Sequence, residues 1–152
     1  MRLVKIGLAS VNTTVGALAR NVDKALEVAR RMAAEDVTVG VFQEQLIGGY
    51  PPEDLVQCQG FVERQWPQLE RFAQETAALR TVFVLGVAVL HQGLRYNCAA
   101  LVAGGKVLGN VRHPLSASDF SSFLLQAQGS GAKVIGLANA GADTVNSIKQ
   151  AA

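Results

Sequence analysis

The chain has 152 residues, 49% of them hydrophobic and 17% charged, with a formal net charge of +2. That length and apolar content suit one folded domain with a real core and exclude a disordered chain. The small charge gives no reason to expect a nucleic-acid partner, and no apolar run reaches the ~18 residues that a membrane span needs.

Met1-Arg2-Leu3-Val4-Lys5-Ile6 runs directly into a strand-like pattern, so no signal peptide is read there. The two cysteines, Cys58 and Cys98, have neither metal-ligand spacing nor a disulfide framework. No metal or cofactor is expected, and a reducing cytosol fits both observations.

Leu3 to Val11 reads as a strand buried on both faces. Asn12, Thr13 and Thr14 offer capping oxygens to a helix whose inner stripe is Leu18, Val22, Ala25, Leu26, Ala29 and Met32. The adjacent pair Arg30-Arg31 belongs to that helix's surface. After Glu35-Asp36, Thr38 to Phe42 is a second strand, which completes a βαβ unit. Gln43 to Asp54, with Gly48-Gly49-Tyr50-Pro51-Pro52, is a loop at a strand's C-terminal end, where α/β folds place chemistry. Phe61, Val62, Trp66, Leu69, Phe72, Ala73 and Thr76 predict a further helix with Trp66 in the core. Pro67 either kinks that helix or opens a new first turn.

Thr81 to Leu90 and Arg95 to Ala103 form an antiparallel pair around His91-Gln92-Gly93-Leu94. Gly104-Gly105 then turns the chain into a short strand over residues 106–112. Beyond it, Ser116, Ser118 and Asp119 are caps for a helix bearing Phe120, Phe123, Leu124 and Ala127, which Gly129-Ser130-Gly131 ends. Lys133 to Ala138 is a strand, and the last helix places Val145 and Ile148 inward. The fold class is α/β: one domain, helices packed on a mixed sheet, with a βαβ start, an antiparallel hairpin and a βαβα end. Such a sheet leaves an edge strand open, so self-association through that edge is expected.

Val41-Phe42-Gln43-Glu44 followed by Gly49-Tyr50-Pro51-Pro52-Glu53-Asp54-Leu55, with Arg95-Tyr96-Asn97-Cys98-Ala99, carries a resemblance. Through these motifs residues 1–111 resemble the carbon–nitrogen hydrolase (nitrilase) superfamily, in particular the glutaminase domain of glutamine-dependent NAD synthetase. The resemblance implies an α-β-β-α sandwich and a Glu–Lys–Cys triad in which cysteine attacks the amide carbon, glutamate moves protons and lysine stabilises the oxyanion. Of that triad only Glu44 is matched. The family's proline before it is replaced by Gln43, His113-Pro114 stands where the lysine is expected, and neither Cys58 nor Cys98 lies in a matching motif.

A different resemblance covers residues 104–152. Val111 to Leu115, Asp119 to Gln128 and Ala132 to Gly141 are similar to a lobe fragment of periplasmic substrate-binding proteins of the branched-chain amino-acid type. The two resemblances share the strand 106–112. The joint reading is one engineered chimeric domain without native catalysis or transport, with Glu44 a vestigial carboxylate and no defined ligand. The alternatives are a residual nitrilase-type amidase or glutaminase activity, or weak binding of a small amino acid. His113 and His91 read as turn residues. The backbone amides near Asn139, Gly141 and Thr144 give only a generic helix N-terminus, and no glycine run forms a phosphate loop.

Overall fold

A computed structural model describes residues 4–109, 119–129 and 141–151. The chain divides into two compact units, Met1–Asn110 and Val111–Ala152.

The first unit is a five-stranded mixed sheet with helices on it, the α/β architecture that the sequence predicts. Its strands are β1 (Ile6–Ala9), β2 (Val39–Phe42), β3 (Val82–His91), β4 (Leu94–Ala103) and β5 (Lys106–Gly109), in spatial order 1-2-3-4-5. β1, β2 and β3 run parallel, whereas β3–β4 and β4–β5 are antiparallel. The predicted hairpin forms, with Gln92 and Gly93 both at positive φ, as a tight two-residue turn matched to strand twist requires.

Helix α1 (Leu18–Ala34) buries Val22, Ala25, Leu26, Ala29 and Met32, the stripe that its spacing predicts. Its start differs from expectation. No side-chain oxygen of Asn12, Thr13 or Thr14 accepts a capping hydrogen bond. Instead the buried Asn21 reaches back, accepting from the Thr14 amide at 2.9 Å and donating to the Thr14 and Ile47 carbonyls at 2.8 and 3.0 Å. A five-residue α2 (Gln59–Glu63) is followed by α3 (Gln65–Glu75), with Pro67 in the first turn of α3, where its missing N–H breaks no bond. Phe42, Phe72 and Phe83 meet between sheet and helices, with ring centroids 5.5 to 6.2 Å apart. Arg71 joins α3 to α1 through Asp23 and also bonds Glu75.

Two expectations are corrected here. β1 is covered on one face only: Gly7 and Ala9 pack toward Met32, Val37 and the core, while Ile6 and Leu8 on the other face are 58% and 80% exposed where burial on both faces was expected. Trp66 is 40% exposed, its indole N–H donating to Glu70, while its neighbour Gln65 occupies the core.

In the second unit, α4 (Ser121–Gly129) and α5 (Gly141–Ala151) are helical as predicted. Asp119 Oδ1 accepts from the Ser121 amide at 2.9 Å, and hydrogen bonds from Ser121 hold this carboxyl below its usual range. Phe120 is buried, and its amide donates to Gln150 Oε1, linking the start of α4 to the end of α5. Val145 and Ile148 are about half exposed, contrary to expectation, because the face of α5 that packs carries the small Ser147. The predicted strand 133–138, the strand end at 110–112, the turn at 130–131 and His113-Pro114 lie outside the described residues.

Candidate active site

β2 ends at Phe42, and the next eight residues turn over the sheet beyond it. Gln45 to Gly49 are buried, so this segment is a packed turn and not a solvated loop; Glu44 and Tyr50 are its exposed residues. Four polar contacts fix it. Gln43 pairs with the Val11 backbone through both its amide oxygen and its amide nitrogen. Gly49 N–H donates to Gln45 O at 2.7 Å, and Gly16 N–H donates to Gly48 O at 3.0 Å. Asn21 holds the Ile47 carbonyl. Gln43, the departure from the family's proline, thus clamps the ends of β1 and β2 together rather than loosening the turn.

The turn passes against β3 at Gly86. A Cβ there would stand 2.5 to 2.6 Å from Gln45 N, Gln43 O and Glu44 Cα, closer than any side chain permits. Only glycine lets the turn lie down and carry Glu44 onto the sheet.

Asn97 on β4 completes the site. Its Nδ2 donates to Glu44 Oε1 at 2.5 Å, and its Oδ1 accepts from Gln45 Nε2 at 3.0 Å. One carboxylate oxygen is therefore held while the residue stays open to solvent. Successive strand residues point to opposite faces, so Cys98, next to Asn97, turns away from Glu44 and into the helix-covered core. Cys58 is exposed at the end of the 3₁₀ turn Glu53–Gln57. It borders an open groove of about 610 Å³ with Leu55, Phe61 and Arg64, whose walls do not include Glu44. Neither thiol is brought to the carboxylate. Among the described residues no cluster of His, Cys, Asp or Glu could hold a metal ion, and no helix is long and apolar enough to cross a membrane.

Gln45, Gln65, Gly86 and Asn97 were not singled out from the sequence. Gln65 had a legible signal, since it stands four residues after Phe61 and four before Leu69, on the apolar stripe itself. Asn97 sits inside a quoted motif, but nothing local says that it reaches across 53 residues to Glu44.

The sheet, the turn after β2 and the carboxylate define a nitrilase-like region, of the kind found in glutamine-dependent NAD synthetases. The chain is 34% identical over 112 residues to the Thermotoga maritima glutamine-dependent NAD(+) synthetase, covering 74% of this chain and 19% of that one. A crystal structure of the Cytophaga hutchinsonii glutamine-dependent NAD(+) synthetase superposes with a TM-score of 0.68 and 27% identity, covering 76% of this chain and 20% of that one. An amidase from Nesterenkonia sp. shares the fold at a TM-score of 0.59 and 17% identity, over 72% of this chain and 42% of that one. The chain thus spans about a fifth of the length of the curated relatives it matches.

Residues 71–152, more than half of the chain, match the model of the periplasmic binding protein family, and over that stretch the chain belongs to it. The match begins well before Gly104, where the resemblance to those proteins was read. The relatives overturn two expectations. An engineered hybrid without native function does not accord with similarity to natural synthetases over 107 to 112 residues. The expectation of a non-enzyme is overturned by the same relatives, which are named as synthetases.

Proposed function

We propose that the chain carries the glutamate-bearing part of a glutaminase- or amidase-type site, which cleaves the carbon–nitrogen bond of a small carboxamide such as the glutamine side chain. The observation supporting this reading is the placement of Glu44: exposed, at the C-terminal end of a parallel strand, with Oε1 held by Asn97. A carboxylate so held can exchange a proton through its second oxygen without reorienting.

In this reading Glu44 takes the proton of the nucleophile as that nucleophile's electron pair forms a bond to the amide carbon. The carbon–nitrogen bond then breaks, and Glu44 returns the proton to the departing nitrogen, which leaves as ammonia. The carbon keeps the attacking oxygen, and the carboxylic acid is released. Cys98 turns into the core and Cys58 borders a groove without Glu44, so neither thiol of this chain is placed to attack and the nucleophile in this reading is water. Glu44 is the one residue assigned a catalytic part.

The test is ammonia release from glutamine by the purified chain and by its Glu44→Gln variant. Loss of roughly 100-fold or more in rate is expected, the scale of a positioned proton carrier. Equal rates in the two proteins would overturn the assignment.

A further inference from the structure

Two buried amide groups beside the turn lack partners among the described residues: the Gln45 Oε1 acceptor and the Gln65 Nε2 donor. Gln65 is fully buried and Gln45 is 5% exposed. They flank one spot, since a Cβ on Gly48 would lie 3.1 Å from Gln65 Nε2 and 3.4 Å from Gln45 Oε1.

Chemistry fixes which way each amide points. The Ala88 backbone N–H can only donate and does so to Gln65 Oε1 at 3.1 Å, so Gln65 must present its NH2 to the interior. An ionised Glu44 can only accept, so Asn97 gives it Nδ2 and offers Oδ1 to Gln45. Gln45 must then donate Nε2 and turn its own oxygen inward. The unpartnered donor and acceptor are thus complementary, and a flipped amide would break a bond already made.

We propose that one buried water over Gly48 accepts from Gln65 Nε2 and donates to Gln45 Oε1, making both glutamines positioning residues for Glu44. The bonds then run in one direction: Ala88 N–H to Gln65, Gln65 to water, water to Gln45, Gln45 to Asn97, and Asn97 to the carboxylate. A head-to-tail series polarises each successive donor, so the last bond, on Glu44 Oε1, is the one strengthened. A buried water between otherwise unpaired groups is an integral part of a fold. The inference rests on the reading of Glu44 as the working carboxylate.

The experiment uses the whole chain and two variants with different liabilities. Gln65→Met keeps the volume and removes the donor, together with the acceptor of the Ala88 N–H. Gly48→Ala keeps both glutamines but sets a methyl group against both amide groups, crowding the space a bridging water needs, and the side-chain atoms it meets can yield. In ¹H–¹⁵N spectra, both variants are expected to shift the Asn97 side-chain NH2 signal. For glutamine hydrolysis both are expected to lower kcat roughly tenfold with KM within about twofold, the size of one lost strong hydrogen bond. An unmoved Asn97 signal with unchanged kcat, in a protein that Glu44→Gln inactivates, would overturn the relay and leave the Glu44 reading intact. A shifted Asn97 signal in a protein whose turnover ignores Glu44→Gln would overturn the Glu44 reading and leave the relay standing.

Discussion

The helix-covered face of the sheet and the turn beyond β2 are made of opposite materials. The face is apolar: Phe42, Phe72 and Phe83 interlock under α1 and α3, and their positions follow from volume. The turn is also buried, but it is held by polar groups: Gln43 on Val11, Asn21 on Ile47, and Gln45 on Asn97. Packing tolerates sideways adjustment, whereas a hydrogen bond specifies an atom and a direction. A carboxylate proposed to exchange protons at a set point is better served by the second kind of support. The cost is exposure to loss, since each buried polar group left unpaired costs about 1–3 kcal/mol.

The largest effect should come from breaking the apolar side of this contrast. Phe83 is fully buried and touches both other rings, so Phe83→Ala is expected to destabilise the chain by about 3–5 kcal/mol in urea unfolding. A loss below about 1 kcal/mol would mean that the rings do not form the core.

Two glycines sharpen the contrast. At Gly40, an added methyl would meet the Met32 sulfur at 2.7 Å and the Phe83 ring at 2.9 Å, which are side-chain atoms on the packed face. At Gly86 it would meet the backbone of the Glu44 turn, which has nowhere to go without moving Glu44. Gly40→Ala is therefore expected to lower stability by about 1–3 kcal/mol and spare turnover per folded molecule. Gly86→Ala is expected to lower turnover of glutamine at least tenfold even in the fraction that stays folded. Equal turnover per folded molecule in the two variants would erase the distinction between face and turn.

These differences also explain what could be read in advance. The stripe of α1, the β3–β4 hairpin and the strand β5 follow from short-range periodicity and from turn residues such as Gln92-Gly93, so they were legible. Glu44 was legible through its motif. Its supports were not, because Asn97 and Gln65 act at separations of 53 and 23 residues and their local sequence shows only a strand and a helix. Trp66 misled for a related reason. Its size draws it toward the core, but its position one step past the Phe61–Leu69 stripe places it at the surface and Gln65 inside. β1 misled because an apolar run does not say whether one face of its strand is covered or both.

The smallest effect belongs to the surface. Arg71 bridges Asp23 and Glu75 where all three side chains are at least a third exposed. Arg71→Ala is expected to cost about 1 kcal/mol or less, with most of that loss already produced by 1 M salt. A much larger, salt-insensitive loss would place part of the α1–α3 packing in the arginine stem.

Ammonia release from glutamine measures most directly whether Glu44, held by Asn97, is a working carboxylate. Turnover by the unaltered chain, lost about 100-fold or more in Glu44→Gln without loss of folding, is the predicted result. Turnover that is indifferent to that substitution would contradict it.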